Sequence, residues 1–169
     1  NVPALMENIH AVTRHLAAKD SDPRHVLTLV LTHEGAPYAM DAEGEYWRMY
    51  EYINGGICLN RAETAEDFYQ SAVAFGHFQM QLSDFPAHTL HETIAHFHDT
   101  PVRFAALHAA ADADVVGRRA GVAKELAFAY AQEAGAGALM AMLRDGRLPL
   151  RATHNDTTLN NVVSADITR

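Results

Sequence analysis

The sequence predicts an α+β chain in two parts. Three observations carry this. Apolar residues recur at helical spacing near the start and through the middle, a β-branched and aromatic stretch broken by turns occupies residues 25–53, and Asn54-Gly55-Gly56 interrupts the chain between them. The predicted order is helix, small antiparallel sheet, tight linker, helical block, then strand–loop–strand. The expected boundaries are 1–53, a linker at 54–60, and 61–169. Ligand sites often lie at such a seam.

Residues 4–18 predict the first helix, because Leu5, Ile9, Val12 and Leu16 fall at i, i+4, i+7 and i+11 and make one apolar stripe. Pro3 suits its start. Lys19 to Arg24 is a loop. HVLTLVLT, APYAM and EYWRMYEYI then predict a three-stranded meander with turns at Glu34–Gly35 and at DAEG.

From 61 to 145 the pattern is helical. Thr64 is a candidate cap for a helix carrying Phe68, Ala72, Phe75 and Phe78 on one side, and DFPA at 84–87 ends it. Thr100-Pro101 predicts a hydroxyl cap followed by proline at the first helical position, with Phe104 and Leu107 on the helix behind it. A longer helix is expected from about Asp114 to Arg144, with Ala127, Tyr130, Ala134 and Leu139 in the core. Gly135 and Gly137 weaken its continuity, and Gly146 stops it. Phe97, Met80, Met140 and Met142 read as core residues. LPLRAT reads as a short extended segment, HNDTTLNN as a polar loop, and VV as renewed extended structure before a turn around Ser164–Asp166.

At 169 residues the chain is long enough for one ordinary domain with a core. It carries 21 acidic against 13 basic residues, a net charge of −8, and Arg118–Arg119 is its only adjacent basic pair. That argues against nucleic acid as a partner, which needs a basic face to displace counterions from phosphate. No apolar run approaches the roughly 18 residues that a membrane span needs. No signal-peptide pattern is visible at the start; with one cysteine, a reducing cytoplasm is the expected default, and an acidic surface tolerates cationic or neutral small ligands. The single cysteine, Cys58, excludes an internal disulfide and a cysteine-based zinc cluster, and is expected to be a small buried hydrophobe.

The sharpest local signal is Thr153-His154-Asn155-Asp156-Thr157-Thr158-Leu159-Asn160-Asn161. Counted from His154 it has the spacing H-x-D-x-x-x-x-N of a kinase catalytic loop. In that chemistry Asp156 accepts the proton of an attacking hydroxyl, and Asn161 turns back to offer an amide oxygen to magnesium. His154 holds the loop's shape by hydrogen bonds. Asn155 stands where protein kinases carry arginine, so it cannot pair with a phosphorylated activation loop, which suits a small-molecule kinase. The competing reading of the same residues is a polar surface loop in which Asn and Asp form turns.

THNDTTLNNV resembles the catalytic loop of the aminoglycoside phosphotransferase superfamily. Together with ALMENIHAVTRHL, YWRMYEYI and LHETIAHFHDTPVRF it resembles, along nearly the whole chain, the N-acetylhexosamine 1-kinase branch. The resemblance implies a protein-kinase-like two-lobe fold, with 1–53 in the small lobe, 54–60 as hinge and 61–169 in the large lobe. It implies ATP-dependent, magnesium-dependent phosphorylation of the anomeric hydroxyl of an N-acetylhexose. It assigns catalysis to Asp156 and His154 and the metal to Asn161. Glu51, Tyr52 and Ile53 would meet adenine, and Glu7 would pair with a phosphate-binding lysine. His98, Asp99 and Asn155 would face the substrate.

The chain departs from that pattern in three respects. It has no G-x-G-x-x-G loop. Its only lysines, Lys19 and Lys124, lie off the predicted strands. No second metal-binding aspartate follows the loop, Asp166 being too near Asn161. The expectation is therefore a segment of a longer enzyme, inactive by itself. Aminoglycoside and choline kinases remain open as alternatives, as does a degenerate kinase fold used for binding. A further rival is metal binding by His88, His91, His96 and His98 with Glu92 and Asp99. The HETIAH spacing of five does not stack two imidazoles on one helical face.

Overall fold

The computed structural model describes residues 1–165; Asp166, part of the expected final turn, lies outside them. The architecture is mixed, with five α-helices and six very short strands in three two-stranded antiparallel sheets among the described residues. The α+β class of the sequence reading agrees with this. Two compact units form, one from Asn1–Thr93 plus the segment from Arg151 onward, the other from Ile94–Leu150. The segment from Arg151 onward thus groups with the N-terminal unit.

In the first unit, α1 spans Val2–Ala17, with Asn1 Oδ1 accepting from Ala4 N at 3.3 Å and proline in its first turn. Its inward face keeps most of the expected stripe, with Leu16 buried and Ile9 and Val12 half-buried. Met6 and Leu16 are buried, whereas Leu5 is exposed. Four short strands follow: β1 (Leu29–Val30), β2 (Ala39–Met40), β3 (Tyr46–Trp47) and β4 (Met49–Tyr50). β1 pairs with β4 (Leu29 opposite Tyr50) and β2 with β3 (Ala39 opposite Trp47). The meander is thus corrected, since the third stretch pairs with both of the others. The second hairpin is closed by Asp41, which accepts from Glu43 N, Glu45 N and, at 2.6 Å, Trp47 Nε1.

β5 (Gly56–Cys58) pairs with β6 (Val163–Ala165), Ile57 opposite Ser164. Cys58 is exposed on this ladder, against expectation. α2 spans Ala65–Gln81 and opens with a capping box: Thr64 Oγ1 accepts from Asp67 N at 3.1 Å, and Asp67 Oδ2 accepts from Thr64 N at 2.9 Å. Its inner face carries Phe75 and Phe78, while Phe68, Ala72 and Met80 of the expected stripe and core are exposed. Leu16, Val26, Leu82, Phe85 and Ala152 form the core, joining α1, the end of α2 and the chain that leads into the polar loop. Residues 148–153 lead to that loop without joining a ladder.

In the second unit, α3 spans Thr100–Ala113 and is capped by Asp99, whose Oδ1 accepts from Val102 N at 3.3 Å. Thr100 is therefore the first helical residue rather than the cap. Phe104 and Leu107 are half-buried with His108 and the buried Ala111. The expected single helix from 114 to 144 is broken. Asp114 adopts a left-handed conformation, a 3-10 turn follows at Arg119–Val122, and α4 (Ala123–Ala136) is separated from α5 (Ala138–Arg144) at Gly137. Tyr130 and Met140 are half-buried, but Ala127, Ala134, Leu139 and Phe97 are exposed. Gly146, at φ 70°, closes α5 with Gly146 N to Leu143 O and Arg147 N to Met142 O, the paired bonds of a Schellman end.

Candidate functional site

The polar loop is built from the core outward. Arg151 Nη1 donates to Ser83 O just beyond α2, and Ala152 is buried in the core cluster. Two residues on, His154 packs its ring edge-on against Phe75 (5.4 Å between centroids) and Phe78 (6.0 Å) of α2. The His154 ring thus meets two aromatic rings, where the sequence reading expected hydrogen bonds. Asn155 turns the chain at φ 64°, a left-handed conformation that asparagine tolerates, and accepts from Thr153 Oγ1 at 2.7 Å.

Thr158 N then donates to Asp156 O at 3.0 Å, and a 3-10 turn at Leu159–Asn161 follows. This reversal returns Asn161 to Asp156. Asn161 Nδ2 donates to Asp156 O at 2.8 Å and to Asp156 Oδ2 at 2.9 Å. The amide nitrogen faces the carboxylate, so the amide oxygen turns away from it. Both residues are exposed. The loop thus presents a solvent-accessible carboxylate whose orientation is set by a neighbouring side-chain amide, an arrangement able to accept a proton and to offer hard oxygen ligands.

Two cavities flank this loop within the first unit. The larger, about 760 Å³, is bordered by Asn8, Ile9, Val12 and Leu16 of α1, by Ile53, by Phe75, His77 and Phe78 of α2, and by His154 and Asn161. The smaller, about 650 Å³, lies along α2 against residues 157–160. Phe75 borders both. Asp20, Arg24 and His25 border the larger cavity. Backbone donation from Asp22, then the His25 ring at 2.9 Å, hold the Asp20 carboxyl below the usual carboxylate range. The Arg24 guanidinium and Arg24 N hold Asp22 well below it as well.

The other expected site residues are dispersed. Ile53 is half-buried at the larger cavity, Tyr52 is 87% exposed, and Glu51 N donates to Thr28 O as an extension of the β1–β4 ladder. Glu7 accepts from His91 Nε2 at 2.6 Å, and Asn8 exchanges two hydrogen bonds with the His91 backbone, so α1 is clasped to residue 91. Lys19 Nζ pairs with Asp84 just beyond α1, and Lys124 lies on α4, so neither lysine is on a strand. His98 and Asp99 belong to the second unit. Asp99 serves there as the α3 cap, and the His98 ring lies 4.2 Å from that of Phe97. Among the described residues no group of three or more His, Cys, Asp or Glu side chains is placed to hold a metal, which leaves the His88–His98 cluster without a ligand set. Among them also, no helix is long and apolar enough to cross a membrane.

The role of Phe75 and Phe78 as the seat of His154 was not anticipated. Their spacing of three on one helical face was legible, but that face reads equally as plain core. No protein-family model matches the chain.

Proposed function

We propose that this chain is the central part of a cytoplasmic, ATP-dependent phosphotransferase with a protein-kinase-like two-lobe fold, in the aminoglycoside phosphotransferase superfamily and its N-acetylhexosamine 1-kinase-like branch. In this reading residues 1–53 belong to the nucleotide lobe, 54–60 to the hinge and 61–169 to the catalytic lobe. The acceptor is a small-molecule hydroxyl, foremost the anomeric hydroxyl of an N-acetylhexosamine. The observation that carries the reading is the bond from Asn161 Nδ2 to Asp156 Oδ2 at 2.9 Å, because it brings the Asp and the Asn of the H-x-D-x-x-x-x-N spacing together, with Asn161 bordering a cavity.

Asp156 takes the proton of the acceptor hydroxyl and holds its oxygen in line with the γ-phosphorus. The new O–P bond forms as the bond to the β-phosphate oxygen breaks, and ADP leaves. His154, seated on Phe75 and Phe78, keeps the loop in place. The Asn161 amide oxygen is a hard donor of the kind magnesium takes and would supply one ligand, while Asp156, which accepts from the Asn161 amide nitrogen, remains the base. Magnesium, when bound, would neutralise phosphate charge. The larger cavity has the size and the mainly apolar lining of a nucleotide-scale pocket, with Ile53 at its edge.

The test is ATP turnover with magnesium by the full-length gene product against N-acetylhexosamines, aminoglycosides and choline. Phosphorylation of an N-acetylhexosamine is expected, and Asp156→Asn should lower kcat by about 10²–10⁴-fold while leaving the thermal transition in place. Near-full activity of Asp156→Asn would remove the mechanism. Nucleotide binding without turnover of any acceptor would favour the degenerate binding domain.

A further inference from the structure

The two short hairpins of the first unit leave an apolar face open to solvent. Alternate residues of an extended strand share a face, so Glu45, Trp47, Met49 and Glu51 lie on one side of the third stretch. Trp47 and Met49 are each 64% exposed. Their cross-strand partners, Ala39 opposite Trp47 and Val30 opposite Met49, stand on the same face and are also exposed. The intervening residues turn the other way. Tyr46 meets Tyr38 at 5.6 Å between ring centroids, and Arg48 lies over the Tyr50 ring with its Nη1 donating to Sδ of the buried Met6 at 3.8 Å. Two-stranded ladders are marginal in water without a covering surface, and a contiguous exposed apolar face marks an interaction site.

Charge decides what this face accepts. Between residues 31 and 52 the carboxylates of Glu34, Asp41, Glu43, Glu45 and Glu51 stand against one Arg or Lys, Arg48, which is spent on Met6 and Tyr50. Glu45 and Glu51 bracket Trp47 and Met49 at the two ends of the row. Anionic lipid, nucleic acid and a second copy of the same acidic face are all repelled by such a rim. A basic partner is attracted to it, and its cations can also lie over the indole. The indole is fixed in advance, because Trp47 Nε1 donates to Asp41 Oδ2 at 2.6 Å. That bond first, and Glu45 N second, hold the Asp41 carboxyl below the usual carboxylate range, so the tether stays ionised at neutral pH. A tryptophan held in place before binding loses little rotamer freedom, and tryptophan is enriched among the residues that dominate interfaces.

We infer that this face docks an extended basic segment of a partner protein, with the partner's apolar side chains on Trp47 and Met49 and its Lys or Arg residues at Glu45 and Glu51. The inference is independent of the phosphotransferase reading. The probe is the end-blocked peptide Lys-Thr-Val-Thr-Val-Thr-Lys, which matches the row in length and places its cations at the two ends. Its control has Glu in place of both Lys. Each is titrated by NMR into the full-length protein. The Lys peptide should bind and the Glu peptide should not. Trp47→Ala should weaken binding about tenfold or more, and raising the salt from about 0.05 to 0.5 M should weaken it further. The double variant Glu45→Lys, Glu51→Lys should reverse the preference between the peptides. It leaves the hairpins intact, because residues 45 and 51 enter the turn and the ladder through backbone bonds. Equal binding of the two peptides, binding of neither, or a preference that the double variant leaves unchanged each overturns the inference. Self-association of the full-length protein that Trp47→Ala abolishes would assign the face to a second copy and overturn it as well.

Discussion

Leu82 is the residue whose loss the first unit should feel most. It is 2% exposed, directly follows α2, and packs with Leu16, Val26, Phe85 and Ala152. Those neighbours come from four chain segments, so they cannot close together over a void without moving α1 or the chain entering the polar loop. Leu82→Ala removes the transfer energy of the lost carbons and leaves a cavity, at a cost of about 3 kcal/mol. Against a total stability of about 5–15 kcal/mol this is a large share. Only seven hydrophobic residues are buried among those described, so little other packing compensates. For a chain of this size the cost corresponds to a fall in Tm of about 6–12 °C. Thermal unfolding followed by far-ultraviolet circular dichroism measures it directly. A Tm within about 2 °C of the wild type would show that this cluster is not the core that holds α1 to α2.

The remaining predictions concern charge, helix geometry and the loop. The Asp84 carboxyl is held below its usual range, first by its hydrogen bond from Lys19 and further by His15. A depressed carboxylate stabilises the fold above its unfolded pKa and loses that contribution as the pH falls through the folded value. Wild type should therefore exceed Asp84→Asn in Tm near neutrality, and the gap should shrink below about pH 4; a gap independent of pH would refute a stabilising role for the Asp84 carboxylate. Gly76→Ala should stabilise the fold, since the site is helical and open, whereas Gly146→Ala should destabilise it by forcing a side chain into φ 70°, each by about 0.5–1 kcal/mol and with Tm moving accordingly. Opposite signs in paired melts are the check. Asn161→Ala should raise the magnesium concentration needed for half-maximal turnover of the full-length protein, and an unchanged requirement would separate Asn161 from the metal.

How much was legible depended on the distance over which each feature is decided. The helix at 65–81 announces itself because its capping box needs only Thr64 and Asp67, three residues apart. The end of α5 is equally local, since Gly146 supplies the left-handed residue that closes it. The Asp156–Asn161 contact is also local, a turn of five residues, but the sequence reading expected Asn161 to offer its oxygen to magnesium, whereas its amide nitrogen donates to the Asp156 carboxylate. Even local signals misled where two neighbours offered the same chemistry. Asp99 rather than Thr100 took the cap of α3, because a carboxylate one residue earlier reaches Val102 N.

The amino-acid order by itself determined the mixed class, most helix starts and stops, and the polar loop with its carboxylate and amide, because hydrogen bonds between near neighbours decide all of these. The tertiary structure decided which faces are covered and which segments meet. Leu5, Phe68 and Ala72 carry the right periodicity yet face out, since a helix buries only the side on which another surface arrives. The third stretch of the sheet pairs with both others, β5 finds β6 over a hundred residues away, and Glu7 finds His91 at a separation of 84. Such contacts depend on chain closure and on packing energies summed over distant residues, and no local pattern encodes them.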